Sequence, residues 1–497
     1  MKNILKYAVC MLVLSLASCE SWLDIKPVDR ISGRALFESR GGFQKALNGV
    51  YVELTDRSIY GREMTAGMLD ILAQYYRVEG TNNYFDHART YAYEKDDYKF
   101  KQRLDALWSK TYNLIVNLNI IIEECGEGNE ALNDLWFGII KGEALALRAF
   151  LHLDMLRLFG PTHSKDPDGL YIPYVTNSDQ SVSPLRSSSE IKTFLLKDLT
   201  EAIALLEKAD PIIENGVMFS DDTADGNALR YRQSRMNYYA ARALLARAYL
   251  WFGDKPNAYA AAKELLADVG ETVFPFVNPD EAIKSENPDR VFSPEIMFGL
   301  YDSYRTTMIF NTYFIPTLEL SQMYRLAYAG NEVWSGRVSQ LFVTPNDLRY
   351  KAWISSFSPA TGGILHYISK YRGSDGPDLA YMKMVPLIKI SEVYLIAAEC
   401  APGIDGLGKA KEYLSRIRVA RTVFDLESAD TDALMNNIEW EFRREFLAEG
   451  QMFYFYKRLA KELIPDGKNT GTQTVPMGTA QYVVPLPDSE KNERLDN

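Results

Sequence analysis

Small and large apolar residues recur along this chain at helical spacing, and they recur in paired segments. Between Arg242 and Leu265, the positions Ala246, Tyr249, Gly253, Ala258, Ala262 and Leu265 fall close to the tetratricopeptide pattern. The alanines let two helices approach closely, Tyr249 fills the space beside them, and Gly253 stops the first helix. A second pair over Ala397–Ile417 repeats this with a longer turn through Pro402 and Gly403. Two looser pairs precede them: Phe43–Thr55 with Leu104–Cys125, and Lys141–Phe159 with Glu190–Lys208. One such pair is a generic hairpin. Four in one chain favour a stacked superhelix, because each pair can bury its apolar face only against its neighbours. The expected fold is therefore mainly α: a superhelix of four tetratricopeptide-like helix pairs with long, mostly irregular insertions and little β. The insertions fall at about 56–103, 160–189 and 271–385, and loops of such length are usually functional or carry small structure of their own. The third is rich in Pro, Gly, Asn and Tyr, with a strand-like run at Ile364–Ile368, and Leu434–Lys461 reads as one further helix.

Charge and composition remove several functional classes. The net charge is −11, from 66 Asp and Glu against 55 Lys and Arg, which is opposite to the basic face of a nucleic-acid binder. The chain has 31 Tyr but only 4 His, a balance that suits a binding surface better than a hydrolytic centre. No GxSxG, HExxH, P-loop or GxGxxG pattern occurs. Glu441, Glu445 and Glu449, at i, i+4 and i+8 among Arg443 and Arg444, read as a charged helix face rather than paired catalytic acids. His87, His152, His163 and His366 are isolated in sequence and read as structural or surface residues. Asp221, Thr223, Asp225 and Gly226 match the front of a calcium loop, but Arg232 stands where the twelfth ligand should be Glu, so a plain acidic loop is expected. No metal or cofactor is expected.

The N-terminus carries an address. Lys2 and Lys6 precede a short apolar run, Tyr7–Ala17, which ends in Leu16-Ala17-Ser18-Cys19. This is similar to a bacterial lipobox, in which the Cys19 thiol is lipidated after cleavage. Residues 1–18 are then the lipoprotein signal peptide, 19–34 a lipid-anchored tether, and 35–497 a single helical domain. Acyl chains contribute about 0.8 kcal/mol per buried CH₂, enough to hold such a protein stably on a membrane. Cys125 and Cys400 sit in apolar helical patterns and read as buried free thiols.

These signals converge on a family. Trp22-Leu23-Asp24-Ile25-Lys26-Pro27 after the lipobox resembles the mature start of SusD/RagB-family lipoproteins of the Bacteroidetes. Leu107-Trp108 through Tyr112, Ile115 and Asn119 resembles a helix of that family, and Gly142-Glu143-Ala144 followed by Leu147-Arg148-Ala149 resembles its most distinctive one. Ala243–Leu250, Glu392–Ala401, Glu441–Phe446 and Val484-Pro485-Leu486-Pro487 continue the order. Departures occur at 161–171, which interrupt the usual connection, and at Gln451–Tyr454, where the family typically has Arg-aromatic-Asp. The resemblance implies a non-enzymatic outer-membrane lipoprotein, exposed at the cell surface, that captures nutrient, usually an oligosaccharide, and delivers it to a SusC-like TonB-dependent transporter.

Sugar recognition needs flat aromatic faces and planar polar groups. Two insertions offer both, and the candidates are Tyr75, Asn83, Tyr84, Phe85, Tyr304, Arg305, Tyr313 and Trp334. Covering the scaffold or meeting the transporter is the competing use of the same residues. Other readings remain open at this level: a peptide-capturing RagB-like member, a scaffold that holds only protein partners, and an enzyme.

Overall fold

The computed structural model describes residues 35–497 except 79–85, 94–97, 180, 220–227, 321, 327–333, 335, 361, 374–378, 425–427, 469–471 and 497. The signal, Cys19 and the tether lie outside the described residues, as do Asn83, Tyr84, Phe85 and the acidic run Asp221–Gly226.

The four helix pairs are present. The first joins α1 (Arg40–Glu53) to α2 (Tyr98–Cys125), and the second α3 (Asp134–Phe159) to α4 (Ser188–Ala209). The third is α5 (Tyr238–Trp251) with α6 (Lys255–Val269), and the fourth α7 (Ile390–Cys400) with α8 (Leu407–Ala420). Their starts are locally encoded. Asn133, Ser187, Asn237 and Asp254 each accept a hydrogen bond from a backbone N–H of the first turn, and Ser187 and Glu190 complete a reciprocal capping box. Helix α3 is buried all round from Gly138 onward, its charged residues there included, as befits the centre of a helical body. Each buried Leu side chain along it contributes about 2 kcal/mol, an upper figure for area removed from water. Gly138 and Gly142 set the spacing of α3 from α4: a Cβ at either would fall 2.6 Å from the Ala209 Cβ or 2.8 Å from the Leu206 Cγ.

Buried arginines tie neighbouring helices together. Arg148 of α3 donates to both carboxylate oxygens of Asp198 on α4, at 2.8 and 2.7 Å, and to Asn119 on α2 at 2.8 Å. Arg247 of α5 bonds Glu392 on α7 twice at 2.6 Å, joining the third pair to the fourth. His152 of α3 is sealed in: its Nδ1 donates to the Arg148 carbonyl at 2.9 Å, and its Nε2 accepts from the Val175 amide at 3.0 Å. Burial pushes this imidazole down to about 3, so it is neutral and structural.

The third insertion is closed at its base. Strand β3 (Ile296–Tyr301) pairs antiparallel with β6 (Met384–Lys389), from Ile296 opposite Lys389 to Tyr301 opposite Met384. Three further two-stranded sheets join β1 (Leu170–Pro173) to β2 (Leu185–Ser187), β4 (Ile354–Phe357) to β5 (Leu365–Ile368), and β7 (Leu463–Pro465) to β8 (Thr474–Pro476). The run expected to be a strand at Ile364–Ile368 is thus β5 almost to the residue.

Two expectations are corrected. Leu434–Lys461 is not one helix. It divides into α9 (Thr431–Glu445) and α10 (Met452–Arg458), separated by a turn with Ala448 at φ 63° and Gly450 at φ 70°. A Cβ on Gly450 would fall 2.2 Å from the Met64 carbonyl oxygen, so the turn is set by close approach of a distant segment. The second correction concerns Glu441, Glu445 and Glu449, which form no solvated face. Glu441 and Glu445 have no exposed surface, and Glu449 is buried too. Glu445 accepts from Arg421 at 2.6 and 3.0 Å and from Arg349 at 2.9 Å. Glu441 accepts from Arg349 at 2.5 Å and from Arg418 and Arg444 at 2.9 Å. Glu449 pairs with Lys370 and, at 2.8 Å, with Lys389. Arg421 also grips Glu295 and Arg349 also grips Asp347, so this network fastens the third insertion to α9.

Candidate ligand face and family

The first and third insertions meet through their backbones. The Arg77 amide donates to the Arg325 carbonyl at 2.8 Å, an antiparallel bridge between the two insertions. Beneath that junction lies an interior column of tyrosines. Tyr313 and Tyr324 stack at 4.3 Å with rings 8° apart, Tyr76 stacks on Tyr324 at 5.4 Å, and Tyr75 lies tilted beside Tyr76 at 6.1 Å. Each hydroxyl described there has a partner: Tyr75 donates to the Arg443 carbonyl at 2.7 Å, Tyr76 to Asp70 at 2.7 Å, and Tyr313 to Glu63 at 3.3 Å. Glu63 also receives Arg62 at 2.9 Å and Arg103. Asp70 is buried, and loss of hydration pushes its carboxyl up to about 7 despite donors from Tyr76 and from the Gly450 amide at 3.0 Å.

The eight candidates therefore separate. Tyr75 joins the first insertion to α9 and Tyr313 joins the third insertion to the first, and the rings of both are covered. Arg305 is buried as well. Its guanidinium lies 5.3 Å over the Tyr371 ring and donates to the Met384 carbonyl at 2.8 Å, and burial lowers it to about 10. For these three, covered surfaces do not suit contact with a bound sugar. Tyr304, the neighbour of Arg305, is 67% exposed. Its backbone amide donates to Asp302 at 2.8 Å, so the turn that presents the ring is braced. Trp334 keeps part of its surface and meets Tyr350 edge-on at 4.9 Å. Asn83, Tyr84 and Phe85 are outside the described residues. Tyr301 is one of the aromatics that the same insertion offers, though not one of the eight; it ends β3 and is 56% exposed.

The glutamates that most resemble catalytic acids are consumed by the network. Arg349, Arg444 and Arg418 hold the Glu441 carboxyl far below the usual range, and Arg421 and Lys389 do the same for Glu445. Groups of three or more His, Cys, Asp or Glu placed to hold a metal are absent among the described residues. Likewise no described helix is long and apolar enough to cross a membrane. Cys125 and Cys400 are free and buried, and burial pushes both thiols up to about 12.

Fold and face together define a class: a tetratricopeptide-type superhelix whose inserts carry exposed aromatic rings. Comparison with known proteins is specific within it. Residues 21–213 match a family described as starch-binding and associating with the outer membrane, and residues 334–492 match the SusD family. A SusD-like protein from Formosa agariphila is 23% identical, with 98% of this chain and 96% of that protein covered. Among solved structures, a SusD superfamily protein from Bacteroides thetaiotaomicron matches with a TM-score of 0.71 at 22% identity, covering 91% of this chain and 98% of that one. A structure titled a putative sugar binding protein from Bacteroides vulgatus matches at 0.69 and 20% identity, covering 91% and 96%. The chain belongs to the SusD/RagB family.

Proposed function

We propose that this protein is an outer-membrane lipoprotein, anchored through Cys19, that binds an oligosaccharide and hands it to a SusC-like TonB-dependent transporter. The observation that carries the reading is Tyr304, 67% exposed on a turn braced by Asp302, in the insertion that the Arg77–Arg325 bridge ties to the first. Tyr304 and Trp334 supply ring surface, and Asn83, Tyr84 and Phe85 join them as proposed ligand contacts. Stacked rings against the C–H faces of a pyranose, with amides on its hydroxyls, give binding without turnover. The name of the starch-binding family and of the sugar-binding relative support a glycan over a peptide.

The test is calorimetric titration of the soluble form, lacking residues 1–19, with maltoheptaose, xylohexaose, laminarihexaose and mannohexaose. One of these binds, and Tyr304→Ala weakens it by about threefold to tenfold, the value of one aromatic contact. Peptide binding with no saccharide binding overturns the glycan reading. In the native host, Cys19→Ala releases the full chain from the membrane fraction, and a chain that stays there overturns the anchor.

A further inference from the structure

A second concavity is lined by none of the eight candidates above. The segment Ala228–Arg235 runs past α1 and α3 and leaves a cleft of about 640 Å³, with Tyr301 in its lining. That volume lies within the roughly 300–1,000 Å³ of small-molecule sites. Its floor is rigid. Glu143 accepts from Arg232 at 2.5 Å and from the Tyr51 hydroxyl at 2.6 Å, and Arg232 bonds Asp210 at 2.9 and 2.8 Å. These groups satisfy one another and fix the shape of the cleft without needing a ligand.

Two side chains differ from that floor. Arg235 spreads its guanidinium 4.4 Å over the Tyr51 ring and donates to Asn48 at 2.5 Å. No carboxylate pairs with it among the described residues. Gln233 is 6% exposed, yet its side-chain oxygen has no hydrogen-bond partner among the described residues. It lines this cleft and also a neighbouring one of about 330 Å³. A buried amide left unsatisfied costs about 1–3 kcal/mol, so its retention at the seam of two clefts calls for a partner that enters from outside.

We propose that this cleft is a second saccharide site. One sugar ring lies against the exposed face of Tyr301, and its hydroxyls bond the Gln233 amide and the Arg235 guanidinium. A hydroxyl both donates and accepts, which matches an amide that offers both, and a charged donor strengthens the contact. The site extends the saccharide reading to a place that shares no residue with the face of Tyr304 and Trp334.

The experiment uses the same four oligosaccharides, with Tyr301→Ala, Gln233→Leu and Tyr304→Ala made singly and Tyr304→Ala combined with each of the others. Tyr301 is largely exposed, so Tyr301→Ala keeps the fold, and the melting curve of each variant checks this. The expected result is residual binding in Tyr304→Ala that falls at least fivefold when either Tyr301→Ala or Gln233→Leu is added. If Tyr304→Ala alone removes all binding, the second site is wrong and the first reading stands. If Tyr304→Ala changes nothing while Tyr301→Ala and Gln233→Leu abolish binding, the cleft is right and the Tyr304 face is wrong. If none of the four sugars binds the unmodified protein, both fall.

Discussion

Replacing Glu445 by Gln tests whether the buried network holds the third insertion in place. The substitution keeps shape and one carbonyl acceptor but removes the charge. Arg421 now donates to both oxygens of Glu445 at 2.6 and 3.0 Å, and Arg349 donates to one at 2.9 Å. A Gln amide accepts at one end only, so its NH₂ group faces an arginine donor. Each lost charge-assisted bond is worth about 1.5–3 kcal/mol, and breaking one member of a buried ion set costs about 3–5 kcal/mol. Arg421 keeps Glu295 and Arg349 keeps Asp347 and Glu441, which places the value toward the lower end. With an unfolding entropy near 2 cal/mol/K per residue, a body of about 460 residues loses roughly 1 kcal/mol per degree, so the melting temperature falls by about 3–4 °C. The loss is also local. Amide exchange rises at Ile296–Tyr301 and Leu348–Trp353, which the network clamps, before it rises in α3 and α4. Lys263→Ala, which breaks an exposed pair with Asp405, serves as the control and changes stability by no more than about 0.5 kcal/mol. An E445Q protein as stable as that control, or exchange that rises evenly throughout, refutes the assignment.

Other outcomes follow from the same geometry. Tyr75→Ala removes a covered ring beneath the Arg443 guanidinium and lowers stability by about 3–5 kcal/mol in urea unfolding, whereas Tyr304→Ala stays within about 0.5 kcal/mol. Cys125 and Cys400 stay unreactive toward a thiol-specific chromogenic disulfide in native protein at pH 8 and react fully in denaturant, since both thiols are covered and raised to about 12. Asp70 gives a pH signature. Its carboxyl is raised from 3.8 to about 7 on folding, so between those values the folded state holds a proton that the unfolded chain has released. That contribution to stability declines as pH rises through the window. Asp70→Asn removes it, so the urea midpoint of D70N gains on the unmodified protein between pH 4.5 and 7.5. A stability difference that stays constant, or that moves against D70N as pH rises, refutes the shift.

The helix pairs were legible because they rest on local rules. Small residues such as Ala246, Ala258 and Ala262 mark where two helices touch, and Asn133 or Ser187 marks where a helix starts. The break between α9 and α10 was illegible, because it is imposed by the Met64 carbonyl, nearly 400 residues away in sequence. The fate of Glu441 and Glu445 was hidden for the same reason. Spacing of i and i+4 is identical on a wet face and on one facing Arg349 and Arg421, and only the fold brings those arginines over. Periodicity reports which residues share a face, and the fold decides what that face meets.

The tyrosine excess separates in the same way. A buried Tyr needs a partner for its hydroxyl, and Tyr51, Tyr60, Tyr75 and Tyr76 each find one, on Glu143, Asp154, the Arg443 carbonyl and Asp70. Where Phe would only fill space, Tyr60 and Tyr75 fix the first insertion on α3 and α9 through one directed bond each, Tyr51 joins α1 to α3, and Tyr76 braces the insertion internally. Part of the excess is therefore the means by which a long insert is held to a helical body. Tyr301 and Tyr304 are different, each more than half exposed to solvent. They flank Asp302, whose carboxylate holds the Tyr304 amide and whose own amide donates to the Lys383 carbonyl at 2.7 Å. A turn braced at both ends presents its rings without further ordering on binding, so less of the stacking energy is lost to immobilisation. That preorganisation is what distinguishes these two residues from the tyrosines that merely share their composition.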